Sequence, residues 1–211
     1  WDLNKLSSNS INFKIFIYIG ETGHNMQAID NIIVSTDDDQ IAAVAKASGA
    51  EIIERPKHLA TDTATTESVI QHAIPLIKPQ PDIIILLQPT SPLRPKNSLE
   101  KAINKFIDGD YDSLLSISPT HKFFWSINDK IATPEYDYNN RQRRQDINIS
   151  QAKYIENGSI YIFKPKILKS DNNRLGGKIS IYEMKFWQTW EIDTIDEIDL
   201  IEFYMKKYKL N

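Results

Sequence analysis

Glu191 and Asp193, two carboxylates separated by a single residue, form the most suggestive pair in the sequence. Thr189 to Asp193 reads as a strand. Residues two apart on a strand share a face, so both acids project together while Ile192 packs behind them. Such a pair suits a hard cation, Mg²⁺, whose remaining ligands are phosphate oxygens and water. The same acids can instead do no more than solvate a strand end and cap the last helix; spacing alone leaves both readings open. Gln88 follows an unbroken apolar run, Ile83 to Leu87, in a loop stiffened by Pro89, Pro92 and Pro95. A pre-organised loop loses little entropy on binding, and an amide both donates to and accepts from hydroxyl groups. Arg55 comes before Pro56, which holds the backbone extended; taken alone it is a surface loop residue. Arg143 and Arg144 lie in a polar, basic stretch, and a guanidinium can take a carboxylate bidentately. Tyr154 and Asn157 precede Gly158, which lets the chain either approach a ligand closely or simply turn.

Composition removes other chemistries. The 211 residues contain no cysteine, which excludes disulfides, thiolate catalysis, zinc fingers and iron–sulfur clusters. The histidines, His24, His58, His72 and His121, have no metal-like spacing, and no serine–histidine–acid set can be assembled. Lysine and arginine number 25 against 28 acids, well mixed along the chain, for a net charge of -3. That argues against a nucleic-acid surface and leaves room for a small anionic ligand held by a few placed cations. The longest apolar run, Ile83 to Leu87, is too short to cross a bilayer. No basic segment followed by an apolar one opens the chain. A soluble, cytoplasmic protein without a membrane partner is the expectation. The first residue is Trp1 rather than methionine, so a fragment or processed form is expected too.

The elements that must position these residues follow from periodicity. Ile11 to Ile19 alternates like a strand, and Ile32 to Val34 is a short apolar run. Asp37 or Asp38 caps a helix with Ile41, Val44, Ala45 and Ser48 on its inner face, closed by Gly49. Glu51 to Glu54 is a strand. Thr65 or Thr66 caps a second helix whose core face is Val69, Ile70, Ala73, Ile74 and Ile77, with a kink at Pro75. Ile83 to Leu87 is a central strand buried on both faces. Ser98 to Ile107 is a third helix, with Leu99, Ala102, Ile103 and Phe106 inward. Glu156 to Phe163 and Ile179 to Met184 are further strands, and an amphipathic helix ends near Tyr208. Strand and helix alternate from Ile32 to Ser118, which predicts an α/β fold of three layers around a mostly parallel sheet. A single domain over 1–211 is expected, with an inserted or swapped arm around 119–155. In such sheets ligands bind beyond the carboxyl ends of the strands. Ser35-Thr36-Asp37 and Gln88 to Arg94 lie there.

Six segments together resemble one family. They are Asp30-Asn-Ile-Ile-Val-Ser-Thr-Asp37, Arg55-Pro-Lys-His-Leu-Ala-Thr-Asp62 and Leu86-Leu-Gln-Pro-Thr-Ser-Pro-Leu-Arg94. After them come Arg143-Arg-Gln-Asp146, Tyr154 with Asn157-Gly-Ser-Ile-Tyr-Ile162, and Glu191-Ile-Asp-Thr194. In this order and spacing they are similar to the cytidylyltransferases that activate nine-carbon acidic sugars, the acylneuraminate (CMP-sialic acid) synthetases and their legionaminate relatives. The resemblance implies a Rossmann-like nucleotidyltransferase fold, a homodimer, and transfer of CMP from CTP to the anomeric hydroxyl of a nonulosonic acid. It also implies site roles. Arg55 and Thr66 would hold the nucleoside, and Gln88, Arg143 or Arg144, Tyr154 and Asn157 the sugar. Glu191 and Asp193 would hold Mg²⁺, where the family usually has aspartate at the position of Glu191; Gln88 and Asp193 would act in catalysis. His121 to Trp125, rich in aromatics, would be part of a subunit interface. The family's triphosphate loop, rich in glycine, arginine and lysine, has no counterpart in Gly20-Glu-Thr-Gly-His24. Truncation or a reading-frame disturbance ahead of Asp30 is therefore expected. Two alternatives follow: a non-catalytic remnant of the family, or a cytidylyltransferase for another sugar such as a 3-deoxyoctulosonate.

Overall fold

The computed structural model describes residues 14–19, 31–147 and 152–210, with backbone alone for 14–19 and Arg144. The readings of residues 11–13 and of Gly20 to His24 lie outside the described residues. Nine strands are described: β1 (Lys14–Ile19), β2 (Asn31–Thr36), β3 (Glu51–Glu54), β4 (Ile83–Leu87), β5 (Ser113–Thr120), β6 (Trp125–Asn128), β7 (Ile131–Pro134), β8 (Lys153–Phe163) and β9 (Ile179–Glu183). Five helices accompany them: α1 (Asp39–Ala47), α2 (Thr66–Ala73), α3 (Ser98–Asp108), α4 (Pro165–Asp171) and α5 (Asp196–Tyr208). None of the described helices is long and apolar enough to cross a membrane.

Seven strands form one sheet in the order β3-β2-β1-β4-β8-β5-β9, and β6 and β7 form a separate hairpin. The β4 run alternates strictly between faces: Ile85 and Leu87 join α1 and α3 on one side, Ile84 and Leu86 join α2 and α4 on the other. In β8, Ile160 and Ile162 face the first group while Tyr161 and Phe163 face the second. Burial on both faces is what an unbroken apolar strand reports, and helices do cover both faces of this sheet.

The sheet is mixed rather than mostly parallel. Only β2–β3 and β5–β9 pair in parallel; β1 is antiparallel to β2 and β4, and β8 is antiparallel to β4 and β5. Apolar periodicity carries no information about strand direction. β8 re-enters the sheet from the β6–β7 hairpin, on the edge where β5 leaves, so it must run back against β5.

Two helix caps fall where the sequence places them. Asp38 caps α1, accepting from the amides of Gln40 and Ile41, and Thr65 caps α2 through the amide of Ser68. On α1, though, Ala45 is buried while Val44 and Ser48 are exposed. The helix α2 ends at Ala73, before Pro75, and a 3₁₀ turn, Ile74–Leu76, carries the proline in place of a kinked last turn.

The predicted strand at Thr189 to Asp193 does not form. Phe186–Thr189 is a 3₁₀ turn, and the chain beyond it leaves the sheet. Its amide bond is made sideways instead, from Ile192 to the carbonyl of Thr90 at 2.8 Å. Ile192, Leu93 and Ile201 then form a small core under α5, flanked by Trp187 and Tyr204. That core docks the final helix against the Gln88 loop.

Truncating Ile85, fully buried in the central strand, to alanine should cost about 2–5 kcal/mol of stability. Truncating Val44, 49% exposed on α1, should stay within about 0.5 kcal/mol. Urea denaturation of the two variants checks both values.

Candidate active site

Five strands of the main sheet, β2, β3, β4, β5 and β9, share one direction, so Thr36, Glu54, Leu87, Thr120 and Glu183 end at a common edge. β8 runs the other way and begins at that edge. Arg55, Gln88, Tyr154 and Asn157 therefore all belong to the same side of the sheet.

The register of β8 explains how it reaches the ligand side. Glu156 pairs with Ile117 and Tyr161 with Leu115, so residues 157–160 face only Ser116. This wide bulge is filled by polar bonds. The Ser116 hydroxyl donates to Asn157 Oδ1 at 2.5 Å and accepts from the amide of Ile160 at 2.8 Å. Asn157 Nδ2 donates to Ser118 Oγ and to Met184 Sδ, each at 3.3 Å. Asn157 is 2% exposed, so its amide is engaged inside the protein and supports the bulge rather than facing outward. Bulges of this kind re-aim neighbouring groups beside functional sites.

What the bulge presents is Gly158, at φ +64°. A side chain there would come within 2.5 Å of Gln88 Oε1 and nearer still to Glu191 Oε1. Gln88, Gly158 and Glu191 therefore meet at one point. Ser91 joins them, its hydroxyl donating to Glu191 Oε1 at 2.6 Å. Glu191 is half-buried, and burial pushes its carboxyl above the usual range, helped by Asp193, Glu197 and Glu156. Glu197 in turn reaches back from α5 to accept from the amides of Asp193 and Thr194, both at 2.7 Å. These bonds hold Glu197 below the ordinary carboxylate range.

This crowding of acids beside a backbone of close approach fits a divalent cation. No group of three histidine, aspartate or glutamate side chains is close enough to bind a metal unaided among the described residues. Mg²⁺ needs no such cage, because one or two carboxylates suffice when phosphates supply the rest.

Arg55, an expected surface residue when read alone, is 2% exposed. Its side chain donates to the carbonyl and the hydroxyl of Ser35, and burial lowers its affinity for the proton while Asp37 opposes that effect. Between Arg55, just after β3, and Gln88, just after β4, lie β2 and β1. Three interstrand steps of about 4.8 Å place them roughly 14 Å apart along the edge. Thr66 opens α2 directly after its cap. Tyr154 is 41% exposed where β8 begins, opposite Pro119. Arg143 is exposed and paired with Asp146 at 2.6 Å in the arm, with no contact to the Gln88 cluster among the described residues. Arg144 opens a 3₁₀ turn there.

Several residues of this edge were not singled out from sequence. Ser91 and Arg94 lay unremarked within the Gln88 segment. Ser116 and Ser118 left a trace, as buried serines alternating within an apolar strand. Glu156 and Tyr161 left none. The Tyr161 hydroxyl donates to Glu156, Arg174 lies over its ring, and burial, then that bond, pushes the phenol up to about 12.

Comparisons with known proteins identify the family. A model for the family described as cytidylyltransferase matches residues 15–208. The chain belongs to that family. N-acylneuraminate cytidylyltransferase B of Danio rerio is 32% identical over 161 residues, covering 74% of this chain and 37% of that protein. The chain thus spans little more than a third of that relative's length. Pseudaminic acid cytidylyltransferase of Campylobacter jejuni is 27% identical over 203 residues, covering 92% and 84%. Among solved structures, CMP:2-keto-3-deoxy-manno-octonic acid synthetase complexed with CTP shares the fold with a TM-score of 0.56, at 14% identity, covering 83% of this chain and 80% of that one.

Gly158→Ala should lose about 1–2 kcal/mol from the left-handed backbone and should also displace Gln88 and Glu191. Gly49 has φ +87° with open space around its missing side chain. Gly49→Ala should therefore lose similar stability and leave ligand binding intact, which thermal melts with and without CTP would separate. A second expectation concerns Glu191→Gln. A carboxyl whose folded-state value is raised costs the folded state its ionisation, a cost present at neutral pH and relieved as pH falls through the raised value. The variant should melt at a higher temperature than the parent at pH 7, with the gap closing in acid.

Proposed function

We propose that this protein transfers CMP from CTP to the anomeric hydroxyl of a nonulosonic acid, releasing pyrophosphate. The observation carrying this reading is the meeting of Gln88, Gly158 and Glu191 on the sheet edge that also carries Arg55, in a chain of the cytidylyltransferase family. The relatives' names, N-acylneuraminate and pseudaminic acid cytidylyltransferase, support an acidic nine-carbon acceptor.

In this reading the anomeric oxygen forms a bond to the α-phosphorus of CTP. The bond from that phosphorus to the bridging oxygen breaks, pyrophosphate leaves with the electron pair, and the hydroxyl proton is released. Positioning and charge neutralisation supply most of the catalysis in phosphoryl transfer. Gln88, fixed at the start of its loop, would orient the acceptor hydroxyls through its amide. Arg55, held by Ser35, and Thr66 at the start of α2 would bind the nucleoside. Tyr154 and the arginines of the arm, Arg143 and Arg144, would face the sugar, with a guanidinium reading its carboxylate. Asn157 would act indirectly, by holding the bulge that brings Gly158 to Gln88. Glu191 and Asp193 would hold Mg²⁺, which when bound offsets charge on the leaving pyrophosphate.

The β6–β7 hairpin exposes Phe124, Trp125, Ile127 and Ile131, an apolar patch suited to the homodimer contact we place there. Its turn residues, Asp129 and Lys130, both have positive φ, the geometry of a tight hairpin turn.

The direct test measures pyrophosphate release from CTP with a panel of sugar acids and sugar 1-phosphates. Turnover with a nonulosonic acid, lost on Glu191→Gln and on Gln88→Ala, is the expected result. Turnover confined to a sugar 1-phosphate would overturn the acceptor, and no CTP binding by calorimetry would favour a non-catalytic remnant.

A further inference from the structure

Arg94 closes the proline-rich loop after β4, and its guanidinium makes four bonds from one nitrogen. Nη1 donates to the carbonyls of Gln88 (3.4 Å), Ser91 (2.5 Å) and Ser159 (3.2 Å), and to the hydroxyl of Ser159 (3.2 Å). All four acceptors are neutral, and no carboxylate pairs with it among the described residues. Arg94 is part-buried, and a cation withdrawn from water without a counter-ion is costly. Burial alone lowers its proton affinity to about 10.

The loop gives a reason for an arginine. Pro89, Pro92 and Pro95 have no N–H to offer, so the loop's own amides cannot satisfy all its carbonyls. Within the loop the Ser91 amide donates to the Gln88 carbonyl at 3.2 Å and the Arg94 amide to the Pro92 carbonyl at 2.7 Å, while the Ile192 amide serves the Thr90 carbonyl and the Gln188 side chain the Leu93 carbonyl. The planar guanidinium serves the Ser91 carbonyl, shares that of Gln88 and reaches across to Ser159 from a fixed direction. Its acceptors belong to the two segments that meet at the site. Gln88 and Ser91 carry the amide and the hydroxyl that face Gly158 and Glu191, and Ser159 follows Gly158 in the bulge.

We propose that Arg94 is the positioning residue of this half of the edge, locking the Gln88 loop to the β8 bulge so that Gln88 and Ser91 are held against Gly158 and Glu191. The inference deepens the cytidylyl-transfer reading and rests on it for its kinetic consequence, while its structural consequence is independent of any substrate. Arg94 touches no ligand in this scheme. It acts through the backbone of residues that do.

The test compares the parent chain with Arg94→Lys, which keeps the charge and loses the planar fork, and with Arg94→Ala. Without ligand, amide hydrogen exchange at 88–91 and 157–160 should accelerate roughly tenfold in Arg94→Lys, with no change in β2, β3 or α2. With CTP and the accepted sugar acid, kcat should fall about 100-fold, the scale of a misplaced catalytic group. The KM for CTP should stay within about twofold, because Arg55 lies three strands away. Guanidinium ion at millimolar concentration should restore part of the activity of Arg94→Ala and none in the parent. Unchanged exchange in those two segments would overturn the proposal, as would kcat within a few-fold of the parent. A uniform loss tracking only the fraction folded, without rescue, would overturn it too. If Arg94→Ala does not fold, Arg94→Lys decides by exchange and kcat. If the parent has no CTP-dependent turnover, the functional reading fails while the exchange comparison still judges Arg94.

Discussion

The site depends on a bulge that the sheet has no intrinsic reason to form. β8 places residues 157–160 opposite Ser116 alone, which breaks the ladder and strands polar backbone groups at a buried position. Unpaired buried groups are expensive, so the bulge survives only because it is filled. The Asn157 amide and the Ser116 hydroxyl do this, with Ser118 and Met184 completing the set. Take that knot away and Gly158 has no cause to lie against Gln88 and Glu191. A buried polar network that is fully satisfied specifies one geometry. Here it specifies the meeting of a strand, a loop and a segment more than thirty residues further on.

The charges on this edge are arranged at a cost to the fold. Glu191, Asp193, Glu197 and Glu156 crowd one end, and the first is destabilised by its own burial. Behind the loops Arg55 is buried and Arg94 part-buried, each with its proton affinity lowered by burial. Perturbed groups of both signs in one place are a mark of a working site. Their cost is tolerable because the apolar layers on both faces of the sheet supply the stability. Those layers rest on β4 and β8, the same strands that lead into the Gln88 loop and out of the bulge. Stability and chemistry therefore share strands but occupy different stretches of them.

Much of this was legible in the residues, for particular reasons. The β4 run reads correctly because a strand buried on both faces has no polar interruption. Asp38 and Thr65 read correctly because capping is a local hydrogen-bond problem. Glu191 and Asp193 were singled out as a pair, yet the strand invoked to align them is absent. Ile192 does pack behind them, through the core under α5 rather than through a pleat. Arg55 was singled out only by resemblance, and its burial was not foreseen, since nothing local says that an arginine before a proline will be buried. The mixed sheet, the bulge and the cross-chain partners Ser116, Glu156 and Arg94 were out of reach of periodicity. Each depends on which strands become neighbours, and that is decided by contacts between residues far apart in the chain.

The contrast between edge and arm bears on how one family serves different acidic sugars. Gly158 sits on the buried hydrogen bonds of Asn157 and Ser116, and Glu191 and the Gln88 loop are held by part-buried bonds to Ser91 and Arg94, so their geometry is hard to vary without disturbing the fold. Tyr154 and Arg143 are exposed, and the pair of Arg143 with Asp146 is a surface ion pair of the kind that contributes little to stability. Substitution at Arg143 or Tyr154 therefore leaves the fold almost untouched. The relatives carry different sugars in their names. In the proposed reading, a rigid edge would keep the transfer chemistry while exposed residues of the arm vary with the acceptor, a division that these energetics favour.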